Sequence, residues 1–142
     1  NSFLLMGNSL SINKINFEDV QEAIGKDYII VNTLTINKQN CLIDKTLSAT
    51  DEVSVVNRAI TAGKLGDNII LYGENSTDNS VFSKYKQLTD LGFDNISIYL
   101  GGLFEWLLLQ DIYGYELFPT SKREPDHLQY KGTKKIDVKM IE

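Results

Sequence analysis

Three short and almost uninterrupted apolar runs stand out along the chain: Tyr28-Ile29-Ile30-Val31-Asn32, Asn68-Ile69-Ile70-Leu71-Tyr72 and Asn95-Ile96-Ser97-Ile98-Tyr99. Such runs suit strands buried on both faces, as in a parallel sheet. A further short strand is predicted around Cys41-Leu42-Ile43. Between the runs, apolar residues recur at helical spacing. Asn16 opens the first helix with Glu18 and Asp19 in its positive first turn, Phe17, Val20 and Ile24 follow, and Gly25 stops it. Thr50-Asp51-Glu52 opens a second, with Val53, Val56 and Ile60 on one face and Gly63 after it. Val81, Tyr85 and Leu88 carry a helix over 80–91, and Gly101-Gly102 turns the chain into a last helix from Leu103 to Ile112. Strands alternating with helices in this way imply right-handed crossovers and an α/β fold with helices on both faces of a mainly parallel sheet.

Composition narrows the functional classes. The chain has 142 residues, 42% hydrophobic and 23% charged, which suits one globular domain. Its net charge of −5 argues against nucleic acid as a partner. No apolar run approaches the roughly 20 residues of a membrane span; the longest candidate is Leu107-Leu108-Leu109. One cysteine, Cys41, and one histidine, His127, exclude an internal disulfide and a structural zinc site of the usual ligands, so neither a metal nor a cofactor is expected. Phe3-Leu4-Leu5-Met6 has no basic run before it and reads poorly as a signal peptide. The chain does not read as a disulfide-rich secreted protein, which leaves an intracellular setting or an intracellularly assembled complex.

The expected organisation is an N-terminal extension over 1–14, a domain over 15–113 and a C-terminal tail over 114–142. Residues 122–139 carry six Lys/Arg against three acids, so this stretch is +3 and the remainder −8. In an open α/β sheet the ligand site lies beyond the carboxyl ends of the strands. Here that is the loop Gly73-Glu74-Asn75-Ser76-Thr77-Asp78-Asn79-Ser80, between a strand and a helix, where backbone N–H groups converge on one point.

The ordered set Ile69-Ile70-Leu71-Tyr72, an eight-residue loop, Leu91-Gly92-Phe93, then Asn95-Ile96-Ser97-Ile98-Tyr99-Leu100-Gly101-Gly102-Leu103-Phe104-Glu105-Trp106 resembles the second half of a rhodanese-like domain. The resemblance spans residues 15 to about 113 and implies a three-layer α/β/α domain around a mainly parallel five-stranded sheet. It also implies an active loop that begins with a nucleophilic Cys and carries an Arg. Gly73 stands at the Cys position and Asn79 at the Arg position, and Glu74 and Asp78 bring negative charge where active members stabilise an anion. Asn32-Thr33-Leu34 stands where the family usually ends its first strand in Asp-x-Arg. The resemblance therefore implies a pseudoenzyme that serves as a protein-interaction or structural subunit. The run from Gly101 to Gly114 and the Phe118-Pro119-Thr120 after it are also similar to rhodanese-like proteins of large DNA viruses, which implies membership of a multi-subunit assembly.

Contact with a protein partner is expected from Leu109, Tyr113, Tyr115 and Phe118 and from Lys122, Arg123, Lys134 and Lys135 of the tail. The density of apolar residues over 111–119 fits a lid on the core as well as a docking patch. The alternative is an enzyme of altered mechanism, a sulfurtransferase using Cys41 or a phosphatase-like activity of the 73–80 loop. Cys41 reads more simply as a small buried hydrophobe, His127 as an unpartnered histidine, and Ser80 as the cap of the following helix. A third reading makes the acidic loop a sensor for a cation or a neutral metabolite.

Overall fold

The computed structural model describes residues 11–136, so the readings placed on Phe3–Met6 and on Lys139 lie outside the described residues. Four strands, β1 (Asn13–Ile15), β2 (Ile29–Asn32), β3 (Ile69–Tyr72) and β4 (Ile96–Tyr99), form one all-parallel sheet in the order β1-β4-β3-β2. Helices α1 (Phe17–Ile24), α2 (Ala49–Ala62), α3 (Ser80–Asp90) and α4 (Gly102–Tyr113) alternate with them.

The period-two alternation of each strand divides the core into two layers. Ile30, Ile70, Tyr72 and Tyr99 face α1 and α4, where they meet Val20, Ala23, Leu103, Trp106 and Leu107. Val31, Ile69, Leu71, Ile96 and Ile98 face α2 and α3, where they meet Ala59, Val81 and Leu88. α1 starts in a reciprocal cap: Asn16 Oδ1 accepts from Asp19 N–H (3.1 Å) and Asp19 Oδ2 accepts from Asn16 N–H (3.0 Å).

Four expectations need correction. Among the described residues the sheet has four strands and not five. The stretch Cys41-Leu42-Ile43 is not a strand; Ile43 makes a single antiparallel bridge to Thr120, and the position beside β2 holds one parallel bridge, Ile30 to Thr46. β1, with Ile12 buried just before it, lies partly in the stretch assigned to an extension. α2 starts one residue earlier than read, on Ser48 as cap, and is rotated from the expected face: Ala59 is buried and Val56 partly so, while Val53 is 60% and Ile60 42% exposed. That rotation brings Glu52 to Lys84 of α3 as a half-buried ion pair.

Residues 117–132 lie against the domain. Phe118 inserts between Trp106 and Phe17, with ring centroids 5.0 and 5.6 Å away. Trp106 Nε1–H donates to the Pro119 carbonyl (3.1 Å), and the buried Gln110 Nε2 donates to the Phe118 carbonyl (2.7 Å) and Thr120 Oγ1 (3.1 Å). This arrangement decides between lid and docking patch for Phe118, which is 3% exposed and offers no side chain to a partner.

Candidate functional site

The loop after β3 is held from three sides. Below it, the start of α4 is capped by loop carbonyls: Leu103 N–H donates to Gly73 O (3.0 Å) and Phe104 N–H to Glu74 O (2.9 Å). So close an approach needs glycine at position 102, where φ is +71° and a Cβ would lie 2.8 Å from Gly73 O and 2.9 Å from Asn75 N.

Within the loop, Asp78 supplies the anion. Its Oδ2 accepts from Glu74 N–H (3.0 Å) and its Oδ1 from Ser80 N–H (2.9 Å). Thr77 N–H donates to Asn75 Oδ1 (3.0 Å) and Asp78 N–H to Asn75 O (3.2 Å). Burial works to raise the Asp78 carboxyl, but the bonds from Glu74 and Ser80 outweigh it and hold the group below the usual carboxylate range. Asp78 therefore does the capping expected of Ser80, whose hydroxyl instead meets Thr33 Oγ1 (2.7 Å).

From outside, the tail closes over the loop. Asn75 Nδ2 donates to the Tyr130 carbonyl (2.9 Å), and a Cβ on Gly132 would lie 3.0 Å from Thr77 Oγ1. Lys38, in the 3₁₀ turn Ile36–Lys38, forms an ion pair with Glu74 and donates to the Gln129 carbonyl (3.0 Å). Lys38, Gln129, Tyr130 and Gly132 are the site residues that sequence reasoning missed. Nothing in local spacing marks them: Lys38 is 36 positions from Glu74 and Tyr130 is 55 from Asn75, Gly132 approaches Thr77, and Gln129 joins through Lys38.

A cysteine at position 73 would have to displace the Asp78 carboxylate. Gly73 is buried, and a Cβ there would lie 2.7 Å from Asp78 Oδ2 and 3.2 Å from Thr33 Oγ1. Cys41 is fully buried and its thiol donates to the Lys122 carbonyl (3.2 Å). Burial pushes that thiol up, away from the thiolate a nucleophile needs. His127 begins a 3₁₀ turn, His127–Tyr130, at an open cavity of about 490 Å³ beside α4 that also holds Asp111, Arg123 and Glu124. Among the described residues no group of three His, Cys, Asp or Glu is placed to hold a metal ion.

The surface candidates divide. Tyr113 is 61% exposed, and Lys122, Arg123, Lys134 and Lys135 are exposed. Leu109 packs partly against the core, and Tyr115 is half-buried beneath Arg123, whose guanidinium lies 4.5 Å from the ring centre. Ile112 and Leu117, within the apolar segment expected to serve as a lid or a docking patch, and Leu108 before it are more exposed than Leu109.

Replacing Asp78 with Asn keeps one acceptor but sets an N–H₂ against a backbone N–H. The expected loss is about 1–3 kcal/mol at neutral pH. Because the folded carboxyl sits below its ordinary value, near 3.9, its stabilisation is complete above that value and is lost as pH falls through the folded one. Urea midpoints of parent and Asp78→Asn protein should differ steadily from pH 7 to about 5 and converge below about 4.

No protein-family model matches the chain, and no curated protein is similar to it in sequence. Solved structures are similar in fold. The crystal structure of the Alr3790 protein from Anabaena superposes with a TM-score of 0.56 at 21% identity, over 81% of this chain and 97% of that one. The solution structure of the rhodanese-like domain of Alr3790 gives 0.56 at 20% identity, over 88% and 89%. Thiosulfate sulfurtransferase from Pseudomonas aeruginosa gives 0.55 at 15% identity, over 71% of this chain and only 20% of that one. The chain has a rhodanese-like fold, as the loop, the Gly-Gly turn and Trp106 implied.

Proposed function

We propose that this chain is a catalytically inactive rhodanese-like domain that serves as a protein-interaction or structural subunit of a larger assembly. One observation carries the reading: the Asp78 carboxylate occupies the loop amides of Glu74 and Ser80, directly against a glycine at the nucleophile position. Sulfur and phosphate transfer through such a loop need a thiolate at its first position and free N–H groups for the developing anion. Here the first position is Gly73, and the N–H groups of Glu74, Thr77, Asp78 and Ser80 already have acceptors. The segment 129–132 lies over the outer side of the same loop. The burial of Cys41 counts against a displaced nucleophile.

The test is thiosulfate:cyanide sulfurtransferase turnover of the parent protein, with phosphatase turnover of an aryl phosphate in parallel. Neither is expected above the uncatalysed rate. Gly73→Cys is expected to remain silent and to lose about 1–3 kcal/mol, since its Cβ displaces Asp78. Turnover by the parent, abolished in Cys41→Ser, would restore the enzyme reading.

A further inference from the structure

α4 is apolar around most of its circumference, although only one side of it is covered. Leu103, Trp106, Leu107 and Gln110 are buried against the sheet and the lid. On the opposite side Leu108 and Ile112, one turn apart, are 40% and 69% exposed; Tyr113, whose ring tilts against Phe118, and Leu117, in the turn after the helix, are 61% and 57% exposed. A helix at the surface of a domain ordinarily turns polar residues outward, and a contiguous apolar patch with a polar rim marks an interaction site.

The charge of the rim defines the partner. No Lys or Arg occurs between Lys86 and Lys122. Asp111 and Glu116 are exposed and belong to none of the ion pairs among the described residues. Glu18 lies one turn before Gln21 on α1, and Gln21 Nε2 donates to the Leu117 carbonyl (2.7 Å), so the neighbouring helix adds a carboxylate to the same side. Of the tail cations, Arg123 lines the same cavity as Asp111, together with Glu124, and its guanidinium is held over the Tyr115 ring. A second copy docked here about a two-fold axis would set this acidic rim against itself, and an anionic lipid surface would be repelled by it.

We infer that this face of α4 docks a basic amphipathic helix of a partner protein, an inference that rests on reading the domain as an interaction module. Large apolar residues of that helix at i, i+3 or i+4, and i+7 would cover Leu108, Ile112, Tyr113 and Leu117, and its flanking Lys and Arg would meet Asp111, Glu116 and Glu18.

The experiment is selection from a phage-displayed library of random peptides of about 16 residues, long enough for four helical turns. The full chain is the target. Two surface variants, Leu108→Ser/Ile112→Ser and Asp111→Lys/Glu116→Lys, serve as comparison targets. Enriched peptides are expected to be net positive with apolar residues at helical spacing, and to bind each variant at least about tenfold more weakly, a difference of about 1.4 kcal/mol. Peptides that are neutral or acidic, that bind the variants as well as the parent, or that fail to enrich would overturn the inference. So would sedimentation showing a dimer that Leu108→Ser/Ile112→Ser dissolves, since a second copy would then cover the patch. If the native protein sits in an assembly and no such peptide emerges, this inference fails and the module reading stands. If the peptides emerge but the native protein is a free enzyme, the module reading is the one that fails.

Discussion

Phe118→Ala is expected to lower the stability of the domain by about 3–5 kcal/mol, the usual cost of emptying a buried aromatic site. The side chain is 3% exposed and lies in a cluster with Trp106 at 5.0 Å, Phe17 at 5.6 Å and Tyr113 at 6.3 Å between ring centres. Its removal also loosens the strand of lid that accepts hydrogen bonds from Trp106 Nε1 and Gln110 Nε2, both buried donors. A domain of this size loses roughly 3–4 °C in Tm per kcal/mol, so thermal unfolding should fall by about 10–20 °C. A shift under about 3 °C would mean that residues 114–136 are a detachable tail and that the domain closes its core without them.

Gly102→Ala is expected to cost about 2–5 kcal/mol, through two separate effects. A non-glycine residue at φ +71° pays about 1–2 kcal/mol for the left-handed conformation. The new Cβ also meets Gly73 O at 2.8 Å, Asn75 N at 2.9 Å and Glu74 C at 3.0 Å, and none of these backbone atoms can swing aside as a side chain would. Gly101→Ala is the control. The three atoms nearest a Cβ there all belong to the carboxylate end of Glu105, which can rotate once it gives up its bond from Tyr99 O–H, so a smaller loss is expected. Urea unfolding of the two variants checks the difference, and equal losses would contradict the close approach of α4 to the loop.

The parts of the fold that were legible in the sequence are those where one local pattern carries the whole signal. β2, β3 and β4 are runs of apolar residues buried on both faces, and α1 carries its own cap and stop in Asn16, Asp19 and Gly25. β1 was not legible because Asn13-Lys14-Ile15 has one apolar residue and an exposed edge; its pairing to β4 is what makes it a strand. The rotation of α2 was lost for a similar reason. Val53, Val56 and Ile60 form a convincing stripe, but the helix buries Ala59 instead and turns Glu52 to Lys84, a tertiary ion pair that the spacing within the helix does not show. At the loop, Gly73 and the Gly101-Gly102 turn could be read directly. The use of Asp78 as the loop's own anion could not, since it depends on a turn that folds residue 78 back on residue 74. Lys38 and the 129–132 segment reach the loop through tertiary contacts for which no local periodicity exists.

The native mass of the protein from its own source, after gentle extraction and with identification of the chains that elute with it, tests whether it is a subunit. It is expected to run within a large assembly, with one or more partner chains in fixed proportion. A single free chain, with no companion in constant ratio, would contradict it.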